Sequence, residues 1–220
     1  EEILPDIITE DLLLTDEHLF VIINNLTVAD GSILTINDGV KIKMSNDGNI
    51  IIEGQLIING NEENPVQIMP NSYSGVSKWG AICFDNEMDT SMVSYLQITG
   101  ASTGIDPMVH KGAISSINSN IVLNHVEIED VEFPIYVEGG SISINNSSLS
   151  SDFICDYINV KGGDAIIKDC VFYGKGSPDT DAIDLDNVVG GIIKNNQIYD
   201  FVGFNSDGID IGENSDGIMI

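Results

Sequence analysis

The chain has 220 residues, 42% of them hydrophobic, and sets 35 acidic side chains against eight basic ones for a formal net charge of −27. A disordered acidic chain would be poor in Ile, Val and Leu; this one is rich in them, so it buries apolar side chains while displaying acids, as alternating strands do. Arginine is absent, which excludes the basic footprint that nucleic acid demands and disfavours an anionic membrane surface. The fitting partners are divalent cations, neutral glycans, or anionic glycans bridged by a cation.

In chain order, residues 1–25 are expected to form an N-terminal cap, because the open first turn of a stack of strands needs a cover against edge-to-edge pairing. Short strands follow at Leu26-Thr27-Val28, Ile33-Leu34-Thr35-Ile36, Val40-Lys41-Ile42, Ile50-Ile51-Ile52 and Leu56-Ile57-Ile58, punctuated by Asp30-Gly31, Asp38-Gly39, Asp47-Gly48 and Asn59-Gly60. Beyond them a six-residue pattern returns, with an aliphatic opening, a polar middle and an apolar close. Its copies start at Val93, Leu123, Ile144, Ile167 and Ile193. A second pattern lies between the copies, at Ile82, Ile114, Ile135, Ile158, Ile183 and Ile209. Both advance by roughly 20 to 30 residues, the length of one solenoid turn.

Residues 26–220 therefore read as an all-β, single-stranded, right-handed parallel β-helix, the hand following from the general handedness of parallel crossovers. The last strand-like stretch, Ser215 to Ile220, carries no cap signal, so the helix is expected to continue beyond residue 220 or to be covered there by another chain. Head-to-tail self-association is one form such a cover takes. No apolar run is long enough for a membrane span. The polar middles, Asn124, Asn145 or Asn146, Asp169, and Asn195 or Asn196, suit tight bends, since Asn and Asp bond to turn backbone and tolerate unusual dihedrals. His125 falls at the same corner and reads as a corner residue. Cys83, Cys155 and Cys170 match no zinc spacing and read as small buried hydrophobes.

Val28-Ala29-Asp30-Gly31 through Gly39-Val40-Lys41-Ile42, then Gly54-Gln55-Leu56-Ile57-Ile58-Asn59-Gly60 with Asn64-Pro65-Val66, then Trp79-Gly80-Ala81-Ile82, resemble the opening of bacterial secreted and surface-exposed right-handed β-helix repeat proteins of the pectate-lyase-like superfamily. The resemblance covers roughly residues 15 to 100 and implies the fold and a secreted or cell-surface location. It does not imply an activity, because such helices carry many unrelated sites.

Acids crowd the last turns. With Ile158, Ile183 and Ile209 in register, Asn159, Asp184 and Asp210 share one outward column, and Asp156, Asp181 and Asp207 share a second. Carboxylates one strand spacing apart, about 5 Å, repel unless a cation or a proton sits between them. An oxygen-rich cluster of Asp181, Asp184, Asp207 and Asp210 suits calcium; the other reading is a solvated acidic face. Asp184 and Asp210 would also be the groups that meet a substrate. Lys161 falls beside Asp186, where a salt bridge is one reading. The other is a general base, since a lysine beside a calcium-binding aspartate cluster resembles one family of β-helix pectate lyases.

Asn205-Ser206-Asp207-Gly208-Ile209-Asp210 is similar to a segment of polygalacturonase-type hydrolases, and that resemblance makes Asp207 a catalytic carboxylate. Three functions stay open: an extracellular module binding a polysaccharide or cell-surface glycan, a lyase or glycoside hydrolase acting on uronate-containing glycans, and a filament or adhesin unit stacking end to end.

Overall fold

Alternation of apolar and polar residues sets the coil. In each short strand every second side chain turns inward, and the chain bends after four or five residues, so that neighbouring turns pair side by side. The computed structural model describes residues 1–71, 78–86 and 89–220. They form a parallel β-solenoid of about eight turns, with no helix among the described residues.

The strands fall into three stacks. The first starts with Glu2–Ile3 and Leu19–Ile22 and ends with Val171–Tyr173 against Gln197–Tyr199. The second starts with Ile7–Ile8 and Leu26–Val28 and ends where Ile183–Lys194 meets Asp210–Ile211. The third starts with Leu12–Leu14 and Ile33–Asn37 and ends where the same long strand meets Asp216–Met219. Every pairing is parallel and joins one turn to the next. Within residues 1–25, Glu2–Ile3, Ile7–Ile8 and Leu12–Leu14 make a short first turn, in register with the turn that begins at Leu19–Ile22.

The interior is mainly aliphatic, with Trp79, Phe84, Tyr157 and Phe172 fully buried among the aliphatic side chains. Ile82, Ile114, Ile135, Ile158 and Ile183 pair successively across the second stack, and each is at most 1% exposed. Ile209 extends the column and packs on the core while remaining partly open. Burying each such side chain is worth about 2 kcal/mol. All three cysteines are free and buried. Burial pushes the thiols of Cys83 and Cys155 up to about 12 and that of Cys170 to about 11, which keeps them protonated and inert.

Side-chain ladders hold the corners. Between the third and first stacks the left-handed residue is Tyr95, His125, Asn146, Asp169 and Asn195 in successive turns. Asn195 Nδ2 donates to Asp169 Oδ1 at 3.0 Å. Asn124, read from the sequence as a rung, instead lies one residue earlier, inside the strand Asn120–Glu129, where its Oδ1 accepts from Asn146 Nδ2 at 3.1 Å. The bend falls after Asn124 because Val126 must turn inward again, and His125 takes the positive φ of 54°. A second ladder, between the second and third stacks, joins Asn118 to Asn86 and Asn214 to Asn187. A third, between the first and second stacks, joins Asn205 to Asp179. The segments at this last corner are the longest, and they border the outer face of the second stack.

Candidate functional site

The outer face of the second stack presents one continuous column: Cys83, Ser115, Tyr136, Asn159, Asp184 and Asp210. The inward isoleucines force this, since each of these residues follows one of them by a single position. The column changes from dry to wet along its length. Cys83, Ser115, Tyr136 and Asn159 are buried, Asp184 is partly buried and Asp210 is exposed. The segment 100–112 lies over the first members, and Gly104 approaches Cys83 so closely that a Cβ there would strike its sulfur. Lys111 then sets its ammonium 4.8 Å from the centre of the Tyr136 ring. Beside this wall opens a cavity of about 660 Å³, lined by Lys111, Phe133, Phe153 and Ile154 among others.

Where the wall ends, the acids converge. Asp181 N–H donates to Asp156 Oδ1 at 3.3 Å, and Asp207 N–H donates to Asp181 Oδ1 at 2.6 Å; the second predicted column is therefore stitched together through its own backbone. Asn159 bridges the two columns, its Nδ2 donating to Asp156 Oδ2 at 2.9 Å and to Asp184 Oδ2 at 2.5 Å. Its Oδ1 is buried without a hydrogen-bond partner, although the residue is only 6% exposed. A buried amide oxygen left unpaired is costly, and native structures contain few of them.

Electrostatics follow from this crowding. The Asp184 carboxyl is pushed from its ordinary 3.8 to about 7, first by burial and then by Asp156, Asp186, Asp210 and Asp181. Asp181 is also raised, chiefly by burial, although the Asp207 N–H opposes the effect. The lysine that ion-pairs with the cluster is Lys161, whose Nζ lies 3.9 Å from Asp186 Oδ2. Asp207 and Asp210 face solvent.

The sequence-predicted residues are thus neighbours: Asp181, Asp184, Asp207 and Asp210 share one patch, with Lys161 at its edge. Every donor there is an oxygen, the kind a hard divalent ion takes. As the side chains stand, however, no three His, Cys, Asp or Glu groups among the described residues converge closely enough to hold a metal by themselves. In the hydrolase-like segment, two polar residues already serve the corner: Asn205 holds Asp179, and the Ser206 hydroxyl donates to Ser177 O at 2.8 Å.

Sequence reading missed Tyr136, Lys111 and the bridging role of Asn159. Tyr136 and Asn159 were visible as occupants of the column; the wall over it was not, since segment 100–112 repeats nothing. No protein-family model matches the chain, and neither a curated protein nor a solved structure matches it significantly.

Proposed function

We propose that the chain is an extracellular β-helix module that binds a polysaccharide or cell-surface glycan through the outer face of its second stack, with a calcium ion at the acidic patch. The observation that carries this reading is the setting of Asp184: a partly buried carboxyl among four aspartates, hydrogen-bonded to an amide whose own oxygen has no partner. A divalent cation would relieve the repulsion, and turning over the Asn159 amide, whose Nδ2 now faces Asp156 and Asp184, would present its unpartnered oxygen to the ion. Two carboxylates, an amide oxygen and water make an ordinary calcium set. Asp184 and Asp210, with Asp181 or Asp207, would hold the ion. Sugar hydroxyls or a sugar carboxylate would complete its shell, and the rings of Phe133 and Phe153, which line the neighbouring cavity, offer an apolar surface. The likeness of residues 15 to 100 to secreted β-helix proteins of the pectate-lyase-like superfamily supports the same placement outside the cell.

The experiment is thermal melting in calcium and in chelator. Binding to the folded state alone raises stability by mass action, so the wild type should melt higher in calcium, while Asp184→Asn combined with Asp210→Asn should melt alike in both. Identical wild-type curves would leave only a solvated acidic face.

One observation favours a second reading, a lyase or glycoside hydrolase. A carboxyl that holds its proton to about pH 7 beside ionised neighbours is the arrangement that general-acid catalysis uses. Asp184 would then be the acid, Asp207 or Asp210 its partner carboxyl, and Lys161 the base of the lyase version. Assays for reducing ends and for unsaturated products on a panel of uronate polymers decide it; silence in both assays leaves binding alone.

A further inference from the structure

A different corner of the solenoid carries a second feature. Among the described residues, fourteen non-glycine residues have a left-handed backbone, and all but two of them are Asn or Asp. The chemistry explains the rule: a side chain with a Cβ is strained there, and Asn and Asp compensate by bonding to local backbone. The two exceptions are Tyr95 at φ 52° and His125 at φ 54°. They occupy successive rungs of one ladder, whose next rungs revert to Asn146, Asp169 and Asn195. Strain held by bulky residues where a cheaper residue is standard points towards use.

The two rings stack with centroids 4.3 Å apart and planes 11° from parallel, close to the strand spacing, so their faces turn along the solenoid axis and their edges turn outward. Both line a groove of about 360 Å³ with Glu62, Gln97, Glu127 and Asp169. A side-chain relay feeds that groove: Gln67 Nε2 donates to Gln97 Oε1 at 2.8 Å, and Gln97 Nε2 donates to Glu127 Oε2 at 2.9 Å. Both amides are thereby fixed with their donors towards Glu127. His125 Nδ1 is buried with no hydrogen-bond partner. Gly60 makes room for the stack, since a Cβ there would strike the backbone carbonyl of Tyr95.

We propose that this groove is a binding site for a neutral saccharide, separate from the acidic patch. Three carboxylates line it and no lysine does, among the described residues, so a uronate or sulfated sugar is repelled. Donor and acceptor groups stand side by side there: a phenol hydroxyl and an imidazole next to carboxylates and amides. Vicinal hydroxyls, each able to donate and accept, match that alternation. The half-buried apolar flanks of Pro65 and Val171 suit the C–H faces of a sugar ring.

The test titrates the whole chain, in chelator, with cellohexaose, xylohexaose and mannohexaose, and with hexagalacturonate and spermidine as charged comparators. Binding is read by calorimetry and by amide chemical-shift mapping. At least one neutral hexasaccharide should bind saturably, moving the amides of Tyr95, Gln97, His125 and Glu127 while leaving Asp184 and Asp210 still. The variant Tyr95→Asn/His125→Asn returns both rungs to the standard residue. It should melt at or above the wild-type temperature and bind at least tenfold more weakly.

The proposal is overturned if no neutral hexasaccharide binds, if only hexagalacturonate or spermidine binds, or if the double variant binds as the wild type does. Shift mapping on the wild type decides the matter even if the variant fails to fold. Because chelator removes any calcium site, failure here leaves the glycan reading of the acidic patch intact, and success does not depend on it.

Discussion

Replacing Asp184 by Asn removes a titrating group while keeping its shape and an oxygen that can still accept from Asn159 Nδ2. The unfolded chain ionises this carboxyl at its ordinary 3.8, whereas the folded chain holds the proton to about 7. The folded state therefore binds the proton more tightly, and the stability due to that preference is complete below pH 3.8 and lost as pH rises towards 7. For a fully shielded group that interval corresponds to about 4 kcal/mol. Asp184 is only partly buried and solvent screens its neighbours, so about 1–2 kcal/mol is expected. In chelator, urea unfolding at pH 4, 6 and 8 should show the two proteins alike at pH 4 and the variant more stable by that amount at pH 8, or about 5 °C in Tm. Repulsion across the rest of the surface is common to both proteins and cancels. A difference that is constant with pH, or a variant less stable at pH 8, would refute the reasoning about the crowded carboxylates.

Ile183→Ala, at a side chain with no exposure, should cost about 3 kcal/mol by urea unfolding, through lost burial and the cavity left behind. Gly140→Ala should be worse than Gly31→Ala in the same assay. Both glycines have positive φ, but a Cβ at Gly140 meets the backbone of Ser119, whereas at Gly31 it meets open space; about 1 kcal/mol is expected for Gly31 and several for Gly140. The three cysteines should stay unreactive to a thiol reagent at pH 8 until urea unfolds the chain, since burial holds each thiol near 11 or 12; rapid labelling of the folded protein would contradict their burial.

The coil and the acidic columns were legible because isoleucine recurs in constant phase. Once Ile158, Ile183 and Ile209 are aligned, parity alone places Asn159, Asp184 and Asp210 on one line. Parity fails where repetition fails. Segment 100–112 has no counterpart in the neighbouring turns, so nothing announced that it would cover Cys83 or bring Lys111 over Tyr136. The corner at Asn124 was misplaced by one residue because two polar residues stood together and only the inward turn of Val126 decides between them. Tyr95 was readable in principle, as an aromatic in the slot where three later copies carry Asn or Asp. The first strands, two or three residues long, are too short for any period to show.

The three corners differ in their freedom to change. From Tyr95 onward the corner between the third and first stacks is a tight bend built on one left-handed residue per turn, so an added residue there would throw the inward side chains that follow onto the wrong face. The corner between the first and second stacks carries the longest segments, of unequal length from 130–134 to 100–112, and it borders the acidic patch. Insertions there would remodel the rim of the cleft without touching the interior. The molecule thus has an editable seam beside a phase-locked bend, a natural place to graft new loops when altering what the cleft accepts.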